Sequence, residues 1–325
     1  MLFVYNESTD PYFNLAAEEY LVKNLSEEVF MLWRNDNTIV VGRNQNTLSE
    51  IHYDYVKEKD IHVVRRMSGG GTVFHDLGNI NFTFIVNSGD DFSNYRRFTE
   101  PVIDFLETLG VHASLSGRND ILLGDKKISG NAQYMYKNRV MHHGTLLFAS
   151  EENRLAEALR VSEEKIQSKG IKSVRSRITN ISNYLAEPMK PEQFIDQFAA
   201  YMIKKDADCK YYDLTKHQKD IEKLRDEKYA TWEWNFGYSP KYEFTRKKRF
   251  PMGIVEIYLD IAGTSEIKDV KIFGDFFSQK PVSELEKKLI GVYHEELAIQ
   301  NALSGVMVSD YLQGISREDF MTLLF

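Results

Sequence analysis

The residues best suited to chemistry fall in three short stretches: RRMSGGGTVFHDLGN (65 to 79), NDILLGDKKISGNAQ (119 to 133) and MHHGTLLF (141 to 148). In the first, Gly69, Gly70 and Gly71 can take positive φ and lack a Cβ, so a phosphate could approach the backbone N–H groups of a concave turn. A bare triple glycine is more often a plain hairpin. Here Arg65 and Arg66 precede it, and a guanidinium can grip phosphate or carboxylate at two points. His75 and Asp76 follow it. The stretch is not a Walker loop, since no GxxxxGK[ST] occurs, and Phe74 stands where a GxGxxG fingerprint needs its last glycine.

In the second stretch Lys126 and Lys127 adjoin a Ser-Gly-Asn turn, after an apolar strand opened by Asn119 and Asp120. Neighbouring residues of an extended chain face opposite ways, so only one lysine can aim into a site. A lysine between two anions offsets their repulsion as a carboxylate attacks phosphorus. Standing alone, the pair reads more readily as two solvated lysines on a hairpin. In the third stretch His142 and His143 diverge along a strand and match no zinc spacing, which favours structural histidines. No covalent nucleophile is evident. GxSxG is absent, HExxH fails at Ala298, and the single cysteine, Cys209, lies far from all three stretches.

The elements that must position these residues are legible. Asp10 and Pro11 open a helix through FNLAAEEYLVKN with Phe13, Ala17, Tyr20 and Leu21 at helical spacing. Strands are predicted at 29 to 33, 38 to 42, 62 to 66 and 80 to 86, with a helical stretch from Tyr53 to Lys59. The last strand places Ile80, Phe82, Phe84 and Val86 on one face. A helix fits Tyr95 to Leu109 and ends at Gly110, and Asp120 to Phe148 reads as two or three strands with a turn at Lys137-Asn138. Helices are predicted at Glu151 to Leu159, Pro191 to Lys204 and Lys216 to Lys228. Residues 232 to 253, aromatic and then basic, read as a domain junction. Beyond it come strands at 255 to 261 and 267 to 273, then helices at 283 to 290, 295 to 302 and 317 to 324.

A chain of 325 residues with 42% hydrophobic content suits one large and one small domain. The net charge of -7 argues against a polyanion-binding surface, so any phosphate site must be local. One cysteine permits no internal disulfide and fits a reducing compartment. The opening residues lack a basic segment followed by an apolar run, and no stretch reaches the roughly 18 apolar residues of a membrane span. The expectation is a soluble, unprocessed, cytoplasmic protein.

Taken in this order and spacing, RRMSGGGTVFHDLGNINFTF, GDKKISGNAQ and HHGTLLF resemble the lipoate-protein ligase family, within the wider group of biotin and lipoate attachment enzymes. The resemblance implies an α+β protein: a mixed β-sheet catalytic domain flanked by helices over 1–245, and a small α+β C-terminal accessory domain over 246–325. It implies ATP-dependent conversion of lipoate to lipoyl-AMP with release of pyrophosphate, then transfer of the lipoyl group to a lysine of a lipoyl domain. Matched position by position, Lys127 is catalytic and contacts both lipoate and the adenylate. Arg66, Gly71, Thr72, Val73 and Phe74 join it on the nucleotide, and Ser68, Gly70 and His143 join it on lipoate. Gly69, His75, Asp76, Asn79 and Asn119 are family-like positions without an assigned role. Asp120 is the candidate ligand for the Mg²⁺ that accompanies ATP, and no tightly bound organic cofactor is implied.

The implied partners are lipoyl domains of 2-oxoacid dehydrogenase complexes and the glycine cleavage H protein, with no nucleic acid and no membrane. The junction at 232 to 253 would be a hinge between the domains. A missing nucleophile fits this chemistry, because the acceptor lysine attacks the mixed anhydride directly. Two alternatives stand beside it: an ATP-independent octanoyl or lipoyl transferase, which would need a catalytic cysteine, and a non-catalytic module that binds lipoate or a lipoyl domain.

Overall fold

The computed structural model describes residues 1–117, 119–151, 178–236, 244–261 and 266–325. The first half folds as β1 (Leu2–Asn6), α1 (Pro11–Asn24), β2 (Val29–Trp33), β3 (Thr38–Val41), α2 (Thr47–Glu50), α3 (Tyr53–Glu58), β4 (His62–Arg65), β5 (Val73–His75), β6 (Asn79–Val86), α4 (Tyr95–Thr108), β7 (Ser114–Ser116), β8 (Asp120–Leu123), β9 (Lys126–Tyr136) and β10 (Arg139–Leu147). There follow α5 (Pro191–Lys205), β11 (Lys210–Tyr211), α6 (Gln218–Leu224), α7 (Trp232–Phe236), β12 (Phe244–Phe250), β13 (Gly253–Ile261), β14 (Ile267–Gly274), α8 (Val282–Leu289), α9 (Glu296–Ala302), α10 (Val308–Tyr311) and α11 (Arg317–Leu324).

Local chemistry sets the ends of several elements. Asp10 accepts the Tyr12 N–H and Pro11 fills the first helical position of α1. Gly110, with φ of 75°, closes α4, and Lys137, with φ of 54°, turns β9 into β10. The main sheet is mixed and has eight strands in the order β11-β1-β2-β6-β10-β9-β8-β7. The β6 alternation puts Ile80, Phe82, Phe84 and Val86 into one core with Phe98 and Phe105 of α4 and Phe194 and Phe198 of α5. The opposite face is covered too, by α1 and by a second sheet ordered β4-β3-β5, so every residue of β6 is buried. That second covered face holds the site.

The basic run expected in a domain junction is instead a strand. β12 pairs antiparallel with β13, which pairs with β14, and the four helices α8 to α11 complete a separate apolar core. The edge position explains the sequence: an unpaired strand edge rich in Lys and Arg resists pairing with other chains. The single helix predicted over Lys216 to Lys228 gives way at Arg225 to a wider, π-type turn, which carries Tyr229 inward to donate to Glu19. Most of the predicted helix Glu151 to Leu159 and residues 237–243, just before the expected boundary at 245, lie outside the described residues. Among the described residues no helix is long and apolar enough to cross a membrane.

Candidate active site

Strand register builds the floor of the site. Asp120 of β8 lies opposite Gly130 of β9, Thr145 of β10 accepts the Gly130 N–H, and Asn81 of β6 is paired with both Thr145 and Trp33 of β2. These five residues form one rung across five strands. The next rung on the same face carries Ala132, His143, Thr83 and Met31. Polar residues on this face of β6 alternate with the phenylalanines beneath, so Asn81 and Thr83 point toward the glycine loop and α1.

That loop is held by Arg66. Its buried guanidinium donates to the carbonyls of Gly69 at 2.7 Å, Gly71 at 2.8 Å and Val40 at 3.2 Å, and to Ser68 Oγ at 3.0 Å. Burial lowers its pKa to about 10, partly offset by Glu18. Only Gly70 of the triplet takes positive φ, at 93°. Its N–H donates to the Phe276 carbonyl at 3.4 Å, and Phe277 packs with Tyr95 and Ala132, so the small C-terminal core docks directly on the loop. A Cβ on Gly69 would stand 2.4 Å from the Phe276 oxygen, whereas one on Gly71 would meet nothing nearer than Asp275 Cβ at 3.9 Å.

Arg65 is not an anion grip. It donates to the carbonyls of Gly42, Arg43, Gln45, Trp234 and Asn235 and to Thr47 Oγ1, pinning two loops together. Buried carbonyls substitute for the acidic partners that the sequence around it lacks.

His143 and His142 diverge as the strand dictates. His142 stacks on Phe98 and bonds Gln133 and Asn131, a core residue whose pKa burial and then His143 push well down. His143 faces the site, with Nε2 2.6 Å from Ser68 Oγ and Nδ1 3.0 Å from Glu18 Oε1. Thr83 donates to the same Glu18 oxygen at 2.6 Å, and Trp33 donates to Thr83 at 2.9 Å. Glu18 lies one turn beyond Leu15 and one before Val22, a charge on the buried stripe of α1. The sequence offered that signal, a carboxylate in an apolar stripe, without saying what it would meet.

Two cavities of about 170 and 180 Å³ open between the sheet and the loop. The first is lined by Leu15, Trp33, Val40 and Ala132 together with Arg66, Gly70, His75, Asn119 and His143. The second is lined by Phe74, Asp76, Asn79, Ser129, Ser150 and Asn180, among others. Gly71 borders the first, and Thr72, Val73, Gly130, Thr145 and Lys127 border both. Lys127 therefore stands at their junction, its Nζ 2.7 Å from Asp120 Oδ1, while Lys126 is exposed.

Asp76 orders the turn after β5, accepting the N–H groups of Gly78 and Asn79 on one oxygen and that of Glu151 on the other. Asn119 and Asn131 exchange side-chain to carbonyl bonds that fix the start of β8. Among the described residues no three carboxylate, histidine or cysteine side chains converge as a metal cage. Asp120, the expected magnesium ligand, is paired with Lys127, and both side chains are partly open to solvent. Cys209 directly precedes β11, five strands from β9 across the main sheet, which at about 4.8 Å per strand is roughly 24 Å from the junction.

Residues 10–203 match the model of the lipoyl protein ligase A/B catalytic domain, and residues 239–324 match that of the bacterial lipoate protein ligase C-terminus. The chain is 45% identical over 332 aligned residues to lipoate-protein ligase LplJ of Bacillus subtilis, covering 100% of both. The chain belongs to the lipoate-protein ligase family. Solved structures of lipoate-protein ligases agree with the fold. That of P. falciparum LipL1 in complex with lipoate superposes with a TM-score of 0.80 at 26% identity, covering 94% of each chain. The bi-partite lipoate protein ligase of Thermoplasma acidophilum, studied with its E2 lipoyl domain, gives 0.65 at 27% identity over 74% of this chain and 97% of that one. A lipoate-protein ligase A bound with ATP gives 0.62 at 25%, over 72% and 98%.

Within this lipoate-protein ligase fold, Ser68 alone of the residues expected on lipoate does not line the first cavity. It is 1% exposed and stands behind the loop against His143 and Arg66. Trp33, Thr83, Asn81 and Glu18 are residues of the candidate site that the sequence reading did not single out.

Proposed function

We propose that this chain activates lipoate with ATP, forming lipoyl-AMP and pyrophosphate, and then transfers the lipoyl group to a lysine of a lipoyl domain. The observation that carries the reading is the position of Lys127 at the junction of one cavity with apolar walls and a second bounded by the β5 turn. The acyl chain of lipoate fits the first, against Leu15, Trp33 and Val40, with Gly70 and His143 on its border. The nucleotide fits the second, against the backbone of Thr72 to Phe74, with Gly71 just before it on the border of the first and Arg66 holding that backbone in shape. At the junction the Lys127 ammonium lies between lipoate carboxylate and α-phosphate, screening their repulsion while the carboxylate oxygen displaces pyrophosphate.

The acceptor amine then attacks the acyl carbon of the mixed anhydride, and AMP leaves. Lys127 can stabilise the oxygen that gains charge in both steps. Magnesium, where it accompanies ATP, would be held mainly by phosphate oxygens and water, and no step is assigned to it. The names and bound ligands of the relatives support lipoate, ATP and a lipoyl domain as substrates. Pyrophosphate release on mixing the protein with ATP and lipoate, followed by mass spectrometry of an added lipoyl domain, tests the reading. Well-folded protein that releases none would overturn it.

A further inference from the structure

The acyl cavity contains two polar groups that neither the fold nor the proposed chemistry uses. His75 and Asn81, 3% and 2% exposed, both line it. His75 Nε2 and Asn81 Nδ2 meet no hydrogen-bond partner among the described residues. A relay of asparagines determines which imidazole nitrogen carries the proton. The Ser8 N–H donates to Asn6 Oδ1, so Asn6 Nδ2 donates to Asn14 Oδ1 at 2.8 Å. Asn14 Nδ2 in turn faces the Ser8 and Arg34 carbonyls and Asn35 Oδ1 at 2.9 Å, and Asn35 Nδ2 lies 3.1 Å from His75 Nδ1. Nδ1 is thereby the acceptor and the proton sits on Nε2. Burial, seconded by Arg66 and His143, drives the imidazole down to about 3, so it is neutral. Asn79 Nδ2 donates to Asn81 Oδ1 at 3.0 Å, Asn79 Oδ1 likewise having no partner among the described residues, and in this orientation Asn81 Nδ2 is the second neutral donor.

Their place along the cavity follows from the rung. Lys127 Nζ lies beside Gly130, 3.0 Å from where a Cβ would stand there, and Asn81 is two strands from Gly130, about 10 Å away. Trp33 continues the rung past Asn81, and the His75 ring lies 6.4 Å from it. An acyl chain with its carboxylate at Lys127 spans that distance with about eight carbons at C–C bonds of about 1.5 Å. The two donors therefore face the far end of the chain, among Leu15, Trp33 and Val40.

We propose that His75 Nε2–H and Asn81 Nδ2–H read the dithiolane ring of lipoate, donating to its sulfurs, and so set the preference for lipoate over an unsubstituted eight-carbon acid. The assignment rests on the proposed ligase function and adds its substrate discrimination. A dithiolane combines an apolar, polarisable body suited to Trp33 with sulfur lone pairs that accept weakly. Octanoate would leave both donors buried and unpaired, and a site built around donors rejects an analogue that lacks the acceptor.

The test uses the full-length protein and compares kcat/KM for lipoate and octanoate, read by pyrophosphate release. His75→Phe and Asn81→Leu remove the N–H groups with little change of shape. Each is expected to lower the lipoate-to-octanoate ratio about tenfold, through KM for lipoate, with KM for ATP unchanged. His75→Gln, which keeps an N–H, should recover part of the ratio. Because the ratio is internal to each variant, partial loss of folded protein cancels. A ratio unchanged in both variants, or a KM for ATP that rises alike with either acid, overturns the proposal and gives the donors to the fold or the nucleotide. Calorimetric binding of the two acids without ATP reads the same ratio, so it decides the matter even if the wild type releases no pyrophosphate and the ligase reading itself fails.

Discussion

Lys127 Nζ stands 2.7 Å from Asp120 Oδ1 while bordering both cavities of the site. Each side chain is 37% exposed, and an ion pair so open to water is weak and easily exchanged. In the proposed reaction Asp120 holds the ammonium where the two substrate anions would meet, and would release it to them at little cost.

Lys127→Ala should therefore slow adenylate formation by about a hundredfold or more, the range for removing one preorganised donor from a developing charge. Its melting temperature should match the wild type, since the lysine is outside the core. Asp120→Asn should keep the rate within about tenfold, as expected for a positioning partner. Single-turnover lipoyl-AMP formation measures both. Collapse of the Asn variant alone would instead give Asp120 a ligand's role.

The loop glycines should separate by function. At Gly70, φ of 93° is left-handed and a Cβ would stand 2.9 Å from Arg66 Nη2 and 3.2 Å from Phe277. Gly70→Ala should cost roughly 1–2 kcal/mol of stability from backbone handedness before any clash is counted. Gly71 has open space, so Gly71→Val should melt like the wild type yet bind ATP more weakly, its side chain crowding the junction next to Thr72, where the two cavities meet. Thermal melts with ATP titrations distinguish them. Unchanged ATP affinity in Gly71→Val would reduce the triplet to a structural turn.

Acid should destabilise the fold through two buried imidazoles. Native His75 titrates near 3 rather than at the ordinary 6.5, and His142 well below it, because burial penalises the cation. Below about pH 6.5 the unfolded chain takes up protons that the native state refuses, so stability falls as pH drops, by about 1.4 kcal/mol per histidine per pH unit. The loss continues until native His75 protonates near pH 3. Urea unfolding between about pH 7 and pH 5 should show the slope, roughly halved in His142→Gln. An unchanged slope in that variant would mean that native His142 protonates freely.

The parts of this arrangement written in local sequence were legible, and those made by long-range packing were not. The glycine loop, the fact that only one of Lys126 and Lys127 can face a site, and the divergence of His142 from His143 follow from φ freedom and strand alternation, while the choice of Lys127 rests on the family resemblance. Arg65 and Arg66 look equivalent in sequence, but one faces backbone carbonyls brought from residues 42 to 47 and 234 to 235, and the other the loop beside the cavity. Asn81 and Thr83 alternate with phenylalanines as on a solvated face. Only the covering of that face by α1 and the second sheet turns them into site residues. The run RKKR reads as a linker because an edge strand carries its charges outward, with few apolar residues to mark it.

Cys209 decides against a covalent mechanism by position. A transferase of the cysteine type needs its thiolate at the acyl carbon, yet Cys209 lies about 24 Å across the sheet from Lys127, and burial raises its pKa above the ordinary thiol value, which disfavours the nucleophilic form. Ser68, with His143 and Glu18 behind it, has the spacing of an acyl-transfer triad. Ser68 nevertheless lines neither cavity, and its Oγ also accepts from Arg66 Nε. Cys209→Ser should keep full ligation of a lipoyl domain. Intact-mass spectrometry of the enzyme quenched during turnover should find no acyl group bound covalently at either residue. An acyl-Ser68 or acyl-Cys209 peak that forms and decays with turnover would replace direct attack on the adenylate by a two-step covalent relay.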